Sequence, residues 1–308
     1  MPADIAGRQP ETLVLQQIST EGGAPMDEPE SPVALATHFA DPQVDLVLSG
    51  FVRTVRAVLG QQLISVVLHG GIAFGDLAPG YGDLDFVATV GELEDDLCQQ
   101  LTDARASLRA GGYGVLGTMV EGAFLPRRML DPSVSGKAFW LGTSGERSWD
   151  RNKLGWFVLK MIRERGIVVW GEDMRHEIPE PTRDDLLNDT LAACEDGLLH
   201  GQGGSLHSVD WLLMAARSLE WLKCGALSSK SQAADWGAEH AEGEWRKLLP
   251  RAKELRLNPS LYGTGETRHW VATLTDPIRD AWLEVKAVAS KDRAVCGGLH
   301  QYCEEGMS

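Results

Sequence analysis

Val66-Val67-Leu68-His69-Gly70-Gly71 and, after eleven intervening residues, Asp83-Leu84-Asp85-Phe86 carry the most structural information in the chain. Leu63 to Leu68 is a short apolar, β-branched run and reads as a buried strand. It ends in a Gly pair that leads into what reads as a helix start. Glycines let a backbone approach a phosphate closely, and N–H groups at a turn and helix N-terminus bind the anion. Leu84 to Val90 reads as a second strand. Asp83 and Asp85 are two apart, so both point to one face while Leu84 and Phe86 point to the other. Two carboxylates beside a phosphate cradle form an oxygen-rich site that suits Mg²⁺.

A third carboxylate, Glu121, lies in a third strand candidate, Val115 to Leu125, closed by Pro126. Neighbouring strands are about 5 Å apart, so Glu121 reaches the same site if that strand pairs nearby. There it could hold metal or take a proton from an attacking hydroxyl. A D-x-D pair or a Gly pair alone is a common surface feature. In the order strand, Gly-Gly, short helix, strand with D-x-D, third acid, the set matches what metal-assisted phosphoryl transfer needs.

Around this core, Val44, Leu48, Phe51, Val55 and Val58 repeat at helical spacing, and Leu93, Leu97, Leu101, Ala104 and Leu108 mark a second amphipathic helix ended by Gly111-Gly112. A fourth strand is expected near Ala138 to Leu141, a helix from about Asn152 to Arg165, and a brief strand over Ile167 to Trp170. Ile178-Pro179-Glu180-Pro181 reads as a linker. Beyond it strand signals stop. Thr182 with Asp185 resembles a capping box, and helices are expected at about 183–198, 208–224, 229–240, 244–256 and 276–290. The predicted organisation is a flexible extension over 1–42, rich in Pro, Gly, Glu and Ser; an α/β domain with a small mixed sheet over 43–179; an all-α bundle over 180–290; and a tail over 291–308.

Of the 308 residues 43% are apolar and 24% charged, as in ordinary globular proteins; 29 Lys and Arg against 44 Asp and Glu give a net charge of −15. So acidic a chain is a poor nucleic-acid binder and suits cationic small molecules better. The five cysteines are scattered, odd in number and without a C-x-x-C pair, so neither zinc nor a disulfide framework is expected. The N-terminus lacks a basic segment followed by an apolar run, and no apolar stretch reaches membrane-span length. A cytoplasmic protein without membrane partners is expected. The oligomeric state stays open, with a monomer as the default.

The pattern h-G-[G/S] followed by D-h-[D/E]-h resembles the signature of the polymerase-β-like nucleotidyltransferases. The closer resemblance, over about residues 44 to 290, is to the streptomycin and spectinomycin adenylyltransferases, which carry a helical second domain. Leu68 to Asp76 and Gly82 to Phe86 are similar to that family's catalytic loop. Glu121-Gly122-Ala123-Phe124-Leu125-Pro126 falls where the family has its third acid, considered the catalytic base, and Ile162 to Val168 resembles its helix-turn-strand. Leu212 to Arg217 and Ser229 to Trp236 look like two further family motifs, whose Arg and Lys reach the triphosphate. The resemblance thus implies ATP as co-substrate, two Mg²⁺ on Asp83 and Asp85 with Glu121 nearby, phosphates cradled by Gly70 and Gly71 and clamped by Arg217 and Lys230. Trp149 falls near a family Trp that meets the sugar-like acceptor. Asp210 shares a helical stripe with Met214, Arg217 and Trp221; it either binds an acceptor amino group or pairs with Arg217.

Two departures stand out. Gly71 occupies the place of a usual Ser, and Gly82 that of a usual Ser or Thr. Restoring the hydroxyl with Gly71→Ser is expected to tighten ATP binding. The function expected is transfer of AMP from ATP to a hydroxyl of a small cationic acceptor, an aminoglycoside or aminocyclitol antibiotic, releasing pyrophosphate. Two alternatives remain open: a nucleotide-binding homologue with weak or lost catalysis, and a protein-modifying, AMPylating transferase.

Overall fold

A strand that is apolar at nearly every position must be covered on both faces, and β1 (Leu63–Leu68) and β2 (Leu84–Val90) are so covered. The computed structural model describes residues 33–305 apart from Pro79 and Ser144, and of 294–305 the backbone alone. Among the described residues, β1, β2, β3 (Val120–Pro126), β4 (Ser135–Gly142), β5 (Gly145–Arg151) and β6 (Ile167–Gly171) form one mixed sheet in the order β5-β4-β3-β2-β1-β6. Only β2 and β3 run parallel. A parallel pair needs a crossover, and helices α1 (Pro42–Leu59), α2 (Asp95–Ala110) and α3 (Gly114–Thr118) include the two, α2 and α3, that supply it.

Alternation along β2 divides its residues between two cores. Leu84, Phe86, Ala88 and Val90 pack under α1 and α2 with Val47, Leu48, Phe51 and Leu101. Phe86 sits 4.6 Å from the Phe51 ring centroid and 5.2 Å from that of Phe124. Each such fully buried side chain contributes about 1.5–3 kcal/mol. The opposite face carries Val67, Val87, Ala123 and Leu125 against Leu159 and Ile162 of α4 (Trp156–Arg165). By the same alternation it also carries Asp85 and Glu121.

After residue 178 the chain is helical, in α5 (Arg183–His200), α6 (Ser208–Cys224), α7 (Lys230–His240), α8 (Leu249–Leu257), α9 (Gly265–Ala272) and α10 (Thr275–Glu305). The Thr182–Asp185 capping box forms as expected: the Thr182 hydroxyl accepts from Asp185 N–H (3.1 Å), and Thr182 N–H donates to the Asp185 carboxylate (2.9 Å). α6 is central, with Leu212, Leu213, Ala215, Ala216 and Leu219 fully buried. Ala78 and Tyr81, from the loop between β1 and β2, belong to this same apolar cluster. Among the described residues no helix is long and apolar enough to cross a membrane.

Differences from the expected elements have local causes. Residues 1–32 of the predicted extension lie outside the described residues. The last part of that extension is packed: Leu35 is buried, Ala36 N–H donates to Val169 O (2.8 Å) and the Thr37 hydroxyl to Val168 O (2.9 Å). The compact unit accordingly begins at Val33. Val115 to Met119 is not strand, because Gly112 and Gly114 take positive φ and turn the chain into α3, leaving Val115 exposed. The helix expected from Asn152 starts only at Trp156: the Asn152 side-chain oxygen Oδ1 accepts from Leu154 N–H (2.9 Å) and closes a turn first. The helix expected over 244–256 is a 3₁₀ turn, Glu244–Leu248, followed by α8, with Pro250 in the first turn of α8 where its missing N–H costs nothing. β5 and α9 were not expected. β5 is an edge strand whose Glu146, Arg147, Ser148, Asp150 and Arg151 are exposed, so it lacks an apolar signature.

Candidate active site

β1 delivers the chain into the site through His69, whose N–H donates to Asp85 O (3.0 Å). Gly70 has φ of 67°, and a Cβ there would run into the Asp85 carboxylate. Glycine is thus required both by conformation and by the approach of the acid. Gly70–Phe74 forms a 3₁₀ turn where a helix start was expected, closed by Gly75 N–H to Ile72 O (3.1 Å) and Asp76 N–H to Gly71 O (2.8 Å).

Asp83 stands just before β2 and Asp85 within it, while Glu121 of β3 lies in register with Asp85. All three line one cleft of about 320 Å³ together with Gly70, Gly71, Asp210, Arg217 and Lys230. Burial, reinforced by Glu121, pushes the Asp83 carboxyl up to about 6. Burial, reinforced by Asp83, pushes Asp85 up to about 7. Two partly desolvated carboxylates that repel each other need a proton or a cation between them. Their oxygens, beside the Gly70–Phe74 turn, are of the kind that Mg²⁺ takes together with phosphate and water. Among the described residues no three His, Cys, Asp or Glu form a closed metal cluster. Glu121 Oε2 accepts from Thr143 N–H (2.6 Å) and the Thr143 hydroxyl (2.8 Å), across the β4–β5 turn. Asp83, Asp85 and Glu121 are thus the carboxylates that the sheet brings to the cleft.

The far wall comes from the helices. A second capping box, Ser229 with Gln232, starts α7 at Lys230. A cation at a helix N-terminus is disfavoured by the dipole, and here it is held by a carboxylate: Lys230 Nζ donates to Asp210 Oδ1 (2.6 Å), while the Tyr81 hydroxyl donates to Asp210 Oδ2 (2.5 Å). His207 Nδ1 lies 3.7 Å from Asp210. Burial works to raise the Asp210 carboxyl, but His207, Lys230 and Tyr81 together overcome it and hold it below the usual range. Burial and the Asp210 charge push the Tyr81 hydroxyl up. Asp210 pairs with Lys230, so of the two readings of its helical stripe the Arg217 pair is not the one formed. Arg217 lies instead over the Phe157 ring, 5.5 Å from its centroid, and burial lowers its pKa.

Trp149 is not part of the cleft. It is 8% exposed and stacked on Trp140, with centroids 5.2 Å apart, in the core under α4. It shares a sheet face with Glu121 but stands two strands away, opposite Ala138. Trp149→Leu is expected to cost about 1–3 kcal/mol of stability and to leave the acceptor KM unchanged. A thermal melt beside steady-state kinetics checks this; a raised acceptor KM in a variant of normal stability returns Trp149 to the site.

The structure also revises the expectation for Gly71. Its φ is not positive, but a Cβ there would lie 2.8 Å from the Asp76 carbonyl oxygen and 3.4 Å from Arg256 Nη2. A Cβ on Gly82 would likewise stand 3.3 Å from Ala78 N. Gly71→Ser is therefore expected to open the 3₁₀ turn, costing about 1–3 kcal/mol as overpacking does, and to weaken Mg-ATP binding in calorimetry. A tighter affinity would show that the turn adapts. Tyr81, Thr143, His207, Asp76 and Arg256 all bear on the site and were not singled out by the sequence. Each is recruited by contacts far along the chain, and only Asp76 lay inside a stretch whose pattern had meaning.

Residues 178–279 match the family model described as the C-terminal domain of aminoglycoside adenylyltransferase. Among solved structures, the fold is similar to that of the spectinomycin adenyltransferase AAD(9) from Enterococcus faecialis, crystallised with ATP and spectinomycin. The TM-score is 0.62 at 18% identity, over 78% of this chain and 98% of that one. No curated protein matches the sequence. By the sequence of its helical part and by the fold of most of its length, the chain is close to the aminoglycoside adenylyltransferases.

Proposed function

We propose that the chain moves AMP from ATP to a hydroxyl of a small cationic acceptor of the aminoglycoside or aminocyclitol class, releasing pyrophosphate, as a cytoplasmic enzyme that needs Mg²⁺. The observation that carries this reading is the pairing of Asp85 and Glu121 on adjacent strands beside Gly70-Gly71, with Lys230 and Arg217 across the same cleft. Mg²⁺, two ions in this reading, would sit on Asp83 and Asp85 and neutralise phosphate charge. The Gly70–Phe74 turn holds phosphate through backbone N–H groups. Glu121 takes the proton of the attacking hydroxyl; Thr143 holds its Oε2, so Oε1 is the oxygen left to accept it. The new bond joins the acceptor oxygen to the α-phosphorus. The bond from that phosphorus to the bridging oxygen breaks, and pyrophosphate carries away the electron pair, met by Lys230 and Arg217. The carboxylates that line the cleft, Asp83, Asp85, Glu121 and Asp210, favour a cationic acceptor over an anionic one.

The test is incubation of purified protein with ATP, Mg²⁺ and a panel of aminoglycosides and aminocyclitols, followed by mass spectrometry of the acceptors and a pyrophosphate assay. One acceptor gaining a single adenylyl group is expected. Tight Mg-ATP binding with no modified acceptor and no pyrophosphate would sink the reading.

A further inference from the structure

A buried ion pair ties the phosphate turn to the helix that carries Lys230, and it belongs to no part of the chemistry above. Arg256, near the end of α8, is 4% exposed. Its Nη1 donates to Asp76 Oδ1 (3.0 Å) and to the Ser231 hydroxyl (3.2 Å), and its Nη2 donates to the Asp76 backbone carbonyl (2.8 Å). The remaining Asp76 oxygen, Oδ2, accepts from Ser231 N–H (3.1 Å). Ser231 directly follows Lys230, and its amide is one of the donors that a helix N-terminus leaves without an intrahelical partner. Asp76 directly follows the turn closed by its own N–H to Gly71 O.

We infer that Arg256 and Asp76 are positioning residues for nucleotide transfer: a strap that sets the distance between the Gly70-Gly71 cradle and Lys230. The inference rests on the reading of the cleft given above. Buried ion pairs contribute little net stability compared with apolar packing, and their directional bonds are better suited to fixing a geometry. The guanidinium fork is rigid and bidentate, so it specifies orientation as well as charge. Here it grips both the side chain and the backbone of one residue and a hydroxyl of another. The cradle is on the sheet side of the cleft and Lys230 on the helical side. A triphosphate meets both only if the two are held in register, and Asp76–Arg256–Ser231 is a buried polar link that spans the gap, beside the bond of Tyr81 to Asp210. Arg256 Nε is buried with no hydrogen-bond partner among the described residues, so the grip comes entirely from the two terminal nitrogens. Gly71 belongs to the same design, since Arg256 Nη2 comes within 3.4 Å of where its Cβ would be.

The test uses the full chain with Arg256→Met, Arg256→Lys and Asp76→Asn, each with and without Lys230→Ala. In hydrogen exchange, Arg256→Met should lose protection by about tenfold or more in 71–76 and 230–233 together. In kinetics, kcat should fall by roughly 10- to 100-fold with little change in the KM for ATP. Lys230→Ala should then cost much less in the Arg256→Met background than alone, because the strap acts through Lys230. Arg256→Lys, which keeps the charge but not the fork, should fall between; it and Asp76→Asn carry the test if Arg256→Met folds poorly. Additive effects of Arg256→Met and Lys230→Ala, or a loss confined to the KM for ATP, would overturn the inference. A wild-type protein that transfers no nucleotide sinks the reading of the cleft, whereas unchanged exchange in both segments of Arg256→Met sinks the strap whatever the activity.

Discussion

Asp85→Asn is expected to reduce transfer by about 1000-fold or more, because it removes a carboxylate from the place where charge must be neutralised. Asp83→Asn should do the same. Neither variant should unfold. Asp85 stands at about 7 against an ordinary 3.8, and Asp83 at about 6, so in the metal-free fold their charged forms are disfavoured. The sign follows from linkage. A group whose pKa is raised on folding contributes stability that is fully present below its unfolded value and is lost as pH rises through the folded value. Metal-free wild type should therefore lose stability between about pH 4 and about pH 7 through these two groups. Asp85→Asn should melt higher than wild type above pH 7, with the gap closing toward pH 4. Added Mg²⁺ should raise the wild-type Tm by mass action and leave Asp85→Asn nearly unmoved. Melting curves with and without Mg²⁺ at three pH values decide the matter. Near wild-type turnover in either variant would mean that the two carboxylates do not hold the metal.

Lys230→Ala is expected to slow turnover at saturating ATP by about 10- to 1000-fold, the scale of a lost electrostatic donor. The KM for ATP should move less, because the cation meets charge that develops as pyrophosphate leaves. The geometry adds a cost that has nothing to do with catalysis. Lys230 is bonded to Asp210 at 2.6 Å, and the Asp210 side chain is only 18% exposed. Removing the lysine leaves a largely buried carboxylate with only Tyr81 and His207 in contact. Asp210 is held below the usual carboxylate range, so its favourable contacts act above the ordinary value of 3.8 and are lost as pH falls. The variant should thus be less stable than wild type at neutral pH, with the deficit shrinking in acid. Adding Asp210→Asn should restore the melting temperature without restoring turnover. Recovery of both together would show that the slow variant was merely unstable.

How much of this was legible beforehand depends on whether the cause was local. β1, β2 and α6 are bounded by their own composition, and the face of Asp85 follows from alternation, whereas Asp83, just before β2, comes to the same cleft from the end of the loop. The register of Glu121 against Asp85 could be expected only as a possibility, since strand pairing is a tertiary fact. Trp149 shows the limit of alignment by spacing. It lands on the right face of the sheet, but Trp140 beside it captures its ring, and stacking decides the place. Gly71 resembled a loss relative to a serine until the Asp76 carbonyl was seen to fill the space. The contacts of Arg256 with Asp76, Thr143 with Glu121, and Tyr81 and Lys230 with Asp210 join residues from 20 to 180 positions apart. No window along the chain contains such pairs.

The loop between β1 and β2 has an implication for how such a chain can be recombined. Ala78 is fully buried and Tyr81 nearly so, and both belong to the apolar cluster of the helices rather than to that of the sheet. A crossover between relatives at residues 178–182, the obvious seam in the primary structure, would seat this loop in a foreign bundle. The hybrid would inherit a mismatched socket for Ala78 and Tyr81, and the Gly70–Phe74 turn, which ends seven residues before Tyr81, would lose its footing. Functional chimeras should be those that carry residues 75–82 together with the helical half, so the unit of exchange is set by burial rather than by position along the gene.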